Sequence, residues 1–271
     1  MPRAATTRLG DAVLGAGLLA GSANVIMQLA HPSVGQGVVE SRVAGGNLYR
    51  HPVRRSRTTV TYLAVAALGT EEERRAYRRA VNAAHARVRS TAASPVSYHA
   101  FDPKLQLWVA ACLYRGLEDV HEAFLGPLAD PDGELYRSSA VLGTTLQVRQ
   151  DMWPPDRAAF EEYWRTAVER ISIGPEVREY LMGIAELKFL PGVVSRALGP
   201  FHRFVTTGFL PARFRDEMQL GWTSRDQRRF DRLCRAVAVA VRSSPRPVRA
   251  FPFNACLWDL RRRLRTGRSL V

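Results

Sequence analysis

Lysine is almost absent from this 271-residue chain: of its 39 basic residues, only Lys104 and Lys188 are lysines. An arginine bias this complete reads as coding-sequence composition rather than a tuned binding surface. The formal net charge of +14 still attracts nucleic acid or anionic lipid without specificity. Cysteine is scarce as well. Cys112, Cys234 and Cys256 are far apart and form no CxxC or CxxxxH spacing. That excludes a zinc knuckle or disulfide framework and suits a reducing compartment, the cytoplasm. No G-x-G-x-x-G, Walker loop, H-E-x-x-H or G-x-S-x-G occurs, which removes the main support for dinucleotide, P-loop, zincin and α/β-hydrolase readings. The arginines are scattered, with no aromatic stacking platform or recognition-helix pattern, so nucleic acid is not an expected partner. Internal repeats, low-complexity linkers and strand-like alternation are missing too.

What the chain does contain is apolar and helical in period. With 46% hydrophobic residues it can bury a sizeable core. Apolar spacing predicts helices near 57–68, 71–90, 102–124, 134–146, 156–170, 176–188, 200–208 and 225–242. Breaks fall at Gly45-Gly46-Asn47, Ser94-Pro95, Gly126-Pro127, Trp153-Pro154-Pro155 and Gly174-Pro175. Asp156 and Ser224 are expected N-caps. The apolar stretch from Ala12 to Ala30 follows Arg3 and Arg8, but Asn24 and Gln28 interrupt it. Gly15, Gly17 and Gly21 lie within the stretch and Gly10 just before it, so it is read as a buried element, with peripheral membrane contact left open. The expectation is an all-α fold: a single helical domain over 1–242, then an irregular, basic, Pro/Arg-rich tail over 243–271 packed on the domain or trailing from it.

The most informative residue is His85. Thr70 and Glu73 form a capping-box start with Glu71 and Glu72 in the first turn. Tyr77, Val81, His85 and Val88 then recur on one face. An imidazole in an apolar stripe needs a partner. It is either a core histidine bonded to a carbonyl or an axial ligand to a buried metal or haem iron. The run Arg54-Arg55-Ser56-Arg57-Thr58 opens a helix against its dipole. Either it is solvated, or Arg54, Arg57 and Thr58 meet one turn apart around an anion or bound oxygen species. His31, before Pro32, marks a turn and is either structural or pocket-lining. Glu40 is a solvated acid or a pocket base. Glu118 and His121 form one E-x-x-H pair, too little for a di-iron bundle. Asp102 before Pro103 reads as an N-cap.

Taken together, Gln28-Leu-Ala-His31-Pro32, the Arg54/Arg57/Thr58 cluster, His85-Ala-Arg-Val-Arg89, Tyr98-x-x-x-Asp102-Pro103-x-Leu105-x-x-Trp108-Val109 and Leu220-Gly221-Trp222 resemble the MpaB-type oxygenase family, which includes the latex-clearing rubber oxygenases. The resemblance runs from about Gly15 to Trp222. It implies a globin-like helical core holding haem b, with His85 as proximal iron ligand and His31 in the haem pocket. It also implies Arg54, Arg57 and Thr58 on the distal side and Glu40 near the family's acid–base glutamate. Dioxygen and a small apolar, isoprenoid or alkene substrate would be the partners; a non-catalytic haem- or lipid-binding protein is the alternative. Arg57 stands where latex-clearing proteins carry a lysine, and arginine cannot serve as a neutral amine ligand. Ser41 and Ala110 stand where many relatives carry histidine.

Overall fold

The computed structural model describes residues 9–41, 43 and 47–271; the Gly45-Gly46 break and the basic flank Arg3 and Arg8 lie outside them. Every regular element among the described residues is helical, and the sole β pairing is an isolated Arg89–His99 bridge. The longest helix, α6 (Pro103–Leu125), is the axis of the molecule. One side of it gives Trp108, Cys112, Val120 and Phe124 to the largest core cluster; the other gives Leu107, Ala111 and Tyr114 to a second, aromatic one. Its start follows the sequence: Asp102 Oδ1 accepts from the Lys104 N–H at 2.8 Å, with Pro103 at the first helical position.

The apolar N-terminal stretch is indeed interior. It forms α1 (Leu9–Ala12), a 3-10 turn (Gly15–Ala20) and α2 (Gly21–Leu29), with Ile26, Met27, Leu29 and Ala30 in the main core. No helix among the described residues is long and apolar enough to cross a membrane. α3 (Pro32–Val39) turns back beneath α10 (Pro175–Ala185). Next come α4 (Pro52–Leu68) and α5 (Glu71–His85), joined by the tight Gly69-Thr70 link. Both halves of the Thr70–Glu73 capping box form.

Several boundaries differ from the periodic reading, each for a local reason. α5 stops at His85 rather than at residue 90, because the chain then pairs across a loop: Ser90 N–H donates to the Tyr98 carbonyl and Ala100 N–H to the Val88 carbonyl, both at 2.9 Å. The expected helix over 134–146 breaks into α7 (Glu134–Ser139) and α8 (Val141–Thr144). α9 (Arg157–Glu169) is capped by Asp156 as anticipated. α11 (Gly192–Phe209) begins well before residue 200 and runs through Pro200; α12 (Ala212–Glu217) follows it. α13 (Ser224–Ser243) is capped by Thr223, not Ser224, because Thr223 and Asp226 close a reciprocal box. The segment after residue 243 is not irregular. It contains α14 (Arg246–Arg249) and α15 (Phe253–Thr266), and α15 buries Phe253, Leu257 and Leu260 against Ala64, Val65 and Tyr77.

Candidate functional site

His85 ends α5 on the same face as Tyr77, which is fully buried and donates its hydroxyl to the Thr58 carbonyl of α4 at 2.7 Å. Val88, expected on this face, lies beyond the helix end. Burial, with the nearby positive charge of Arg55 as the lesser cause, lowers the His85 pKa to about 4, so the ring is neutral at ordinary pH. Its Nδ1 is buried and has no hydrogen-bond partner. A core histidine satisfied by a carbonyl would not look like this.

The α4 arginines separate by register. Arg54 Nη2 donates to the Val271 carbonyl at 3.0 Å, and Arg57 lies 3.8 Å from the Asp259 carboxylate on α15. Both therefore engage the C-terminal segment. Thr58 Oγ1 donates to the Arg55 carbonyl at 2.9 Å, as Thr59 Oγ1 does at 3.0 Å. The arginine beside His85 is Arg55. Protein surrounds its guanidinium closely enough to lower its pKa by burial, with Tyr180 of α10 and Tyr77 opposing. The residue is nonetheless exposed over part of its surface, so its guanidinium is packed by protein on one side only. It forms no side-chain hydrogen bond or ion pair with a described residue. Burial raises the Tyr180 phenol against the influence of Arg55.

The other two candidates sit around the loop that leaves His85. Its paired limbs return at Asp102, so both ends of the loop lie together. The Glu40 carboxylate accepts from Gln36 Nε2 at 2.7 Å and from Ser94 Oγ and Tyr98 Oη, each at 2.6 Å. Gly37 makes room for the Tyr98 ring, since a Cβ there would lie 3.1 Å from it. His31 sits at the turn into α3, its ring 6.4 Å from that of Trp108. Burial lowers its pKa, with the Asp102 charge acting in the opposite sense, and its buried Nδ1 also lacks a partner. The structure thus brings together His85 with Arg55, and His31 with Asp102, while Glu40 is tied to the loop between them.

Glu118 and His121 do not act as a metal pair. Glu118 is held by Arg115 at 3.2 Å and by Arg157, and His121 Nδ1 donates to the Gly126 carbonyl at 2.8 Å, closing the end of α6. Among the described residues no three His, Cys, Asp or Glu side chains converge as a protein-built metal cage would need. Ala110 is buried beside Gly143, whose added Cβ would lie 3.1 Å from the Ala110 methyl. Sequence reasoning missed Arg55 although a signal was present: Arg54, Arg57, Thr61 and Ala64 recur at three, four and three, so they share one face. Thr61 and Ala64 are buried on that face, which leaves Arg55 to look elsewhere.

Comparison with known proteins gives a consistent picture. Residues 10–239 match the family described as "ER-bound oxygenase mpaB/B'/Rubber oxygenase, catalytic domain". An uncharacterized protein of Mycobacterium bovis and one of Mycobacterium tuberculosis are each 53% identical over 255 residues, covering 94% of this chain and 100% of the relative. No solved structure is significantly similar to the chain.

Proposed function

The chain belongs to the mpaB/rubber oxygenase catalytic-domain family, and from that membership we propose that it is a haem b-dependent oxygenase acting on an apolar substrate of the isoprenoid or alkene class. The observation that carries this reading is the neutral imidazole of His85, whose buried Nδ1 has no hydrogen-bond partner among the described residues, within the electrostatic influence of Arg55. The donor chemistry fits the group. Haem brings its own equatorial ligands and asks the protein for one neutral imidazole, not for a cage of side chains. His85 is the residue to hold the iron; His31 is the second neutral ring able to do so or to line the pocket. When bound, the haem supplies dioxygen binding and one-electron chemistry.

The chain's own residues do the rest. Arg55 sets a positive charge near His85, where it can hold an anionic group or donate to an oxygen that becomes negative. This moves the donor role from Arg54 and Arg57, which engage α15 and the C-terminal residue, to Arg55. Glu40 can hold or pass a proton through Tyr98 Oη or Ser94 Oγ on the loop that starts at His85. Tyr77 orients α5 by its bond to the Thr58 carbonyl and so fixes the direction of His85.

The test is the absorption spectrum of freshly purified protein before and after dithionite. A Soret band that His85→Ala abolishes, with helical circular dichroism intact, supports the site. A wild-type spectrum in that variant assigns the ligand to His31 or another histidine. A colourless wild type that gains no band on haem addition overturns the cofactor. Oxygen uptake with a polyisoprenoid separates the oxygenase from a haem-binding protein without turnover.

A further inference from the structure

Six of the large apolar side chains that reach solvent come from three segments that pack on one another. On α11, Val193 is 70% exposed, and Leu198 and Phe201 are each 52% exposed. Val193, Ala197 and Phe201 recur at spacings of four, so the apolar face of this half of the helix points outward. The buried side of the helix holds Gly199, against the Glu186 carbonyl, and His202, whose Nδ1 donates to the Ala185 carbonyl at 2.8 Å.

The 3-10 turn Gly15–Ala20 packs between α11 and α14 and joins the patch to the C-terminal region. Leu18 of this turn is 40% exposed. Gly15 lies so close to the Phe251 carbonyl that no Cβ would fit, and Phe251 and Val248 are 63% and 60% exposed. Ordinary surfaces scatter single apolar residues. Here the three segments that carry them are in contact through the 3-10 turn.

The segments that form this patch are rich in arginine and poor in carboxylate. No carboxylate occurs from Leu187 to Arg215, from Arg232 to Trp258 or from Ala12 to Val39, while the first two stretches carry nine arginines and Lys188. Glu186, at the edge, pairs with Lys188 at 2.9 Å and Arg203 at 3.0 Å. Arg196 and Arg246 are exposed and have no carboxylate partner among the described residues. Arg249 spends its donors on the Ser244 and Arg242 carbonyls.

From an apolar centre with an arginine fringe, we propose that this face docks onto an anionic lipid bilayer: Leu18, Val193, Leu198, Phe201, Val248 and Phe251 enter the headgroup–acyl boundary while Arg196 and Arg246 meet lipid phosphates. A second copy is a poorer occupant, because a two-fold contact would set arginine fringe against arginine fringe. The docking goes beyond the oxygenase reading and stands without it.

The test is co-sedimentation of the full chain with phosphatidylcholine vesicles, with and without phosphatidylglycerol, alongside size-exclusion chromatography with light scattering. Wild type should bind the anionic vesicles. The double variant Leu198→Ser/Phe201→Ser should partition about tenfold more weakly at unchanged circular dichroism, and Arg196→Ala/Arg246→Ala should lose binding to a similar degree. Val53→Ser, 80% exposed on α4, should bind as wild type. The proposal fails if no vesicle is bound, or if the apolar double variant binds as tightly as wild type, which would leave only scattered charge. It also fails if wild type is a dimer that the same variant makes monomeric.

Discussion

On α4, Arg54 and Arg55 are neighbours in sequence but point about 100° apart around the helix axis. Arg54 and Arg57 engage the C-terminal segment, and Arg55 is the arginine whose charge reaches His85. Arg55→Ala should therefore lower oxygen uptake on the order of 100-fold, the usual loss for one preorganised donor. Arg57→Ala should leave turnover intact and slightly lower the melting temperature, since its 3.8 Å pair with Asp259 is partly exposed. Equal loss of turnover in both variants would count against the register argument. Asp102 behaves differently again. Its side chain is committed to the Lys104 N–H, so Asp102→Asn should be mild, because asparagine caps about as well. Asp102→Ala should cost about 1 kcal/mol in denaturant unfolding without altering the absorption spectrum. A large activity loss in the asparagine variant at unchanged stability would move Asp102, whose charge already reaches His31, into the active site.

Among the elements, the pairing of α15 with α4 and α5 does most to hold the site. α5 carries His85 and α4 carries Arg55, and both rest on Phe253, Leu257 and Leu260. The contact is reinforced where Arg261 Nε meets Glu73 at 2.6 Å, the same Glu73 that closes the α5 capping box. Burial first raises the Glu73 pKa, but Arg261 and Thr70 together bring it below the usual carboxylate value. Leu260 is 1% exposed, so Leu260→Ala should cost about 2–5 kcal/mol in urea unfolding. The same substitution should loosen ligand retention, because the cavity opens under the helices that carry both site residues. Unchanged stability would mean that α15 is an appendage rather than part of the core. The tail was expected to be irregular because prolines and arginines dominate its first residues. The apolar spacing of Phe253, Leu257 and Leu260, four and three apart, was nevertheless present.

For the whole molecule, pH acts through several buried groups: burial raises Asp119 to about 7, and its link to stability opposes that of the two rings whose pKa burial lowers, His31 and His85. The folded His85 pKa of about 4 lies below the ordinary 6.5, so the unfolded chain binds this proton more readily than the native protein does. The stability linked to this ring is thus fully present above pH 6.5 and falls as the pH drops towards 4. Thermal melts across that window should show a slope that His85→Gln shifts towards less loss in acid. An identical slope in the variant would assign the acid sensitivity to other groups. The bulk charge of +14 adds self-repulsion in the same direction, and salt should relieve that part but not the part due to His85.

Local rules acting within a few residues were legible in the chain as written. The Thr70–Glu73 box, the Asp102 and Asp156 caps, the all-helical period and the buried character of the N-terminal apolar stretch all follow from neighbours within one or two turns. His85 could be singled out for the same reason, since an imidazole among apolar residues at helical spacing is visible without a fold. What lay beyond the sequence depended on partners far along the chain. Arg54 and Arg57 share a helix face in the sequence, but that α15 and the C-terminal residue meet them there is decided by packing, as is the nearness of Arg55 to Tyr77 and Tyr180. Glu40 reads as an isolated acid until the loop carrying Ser94 and Tyr98 folds over it. Helix periodicity states which residues share a face; only packing decides what that face meets.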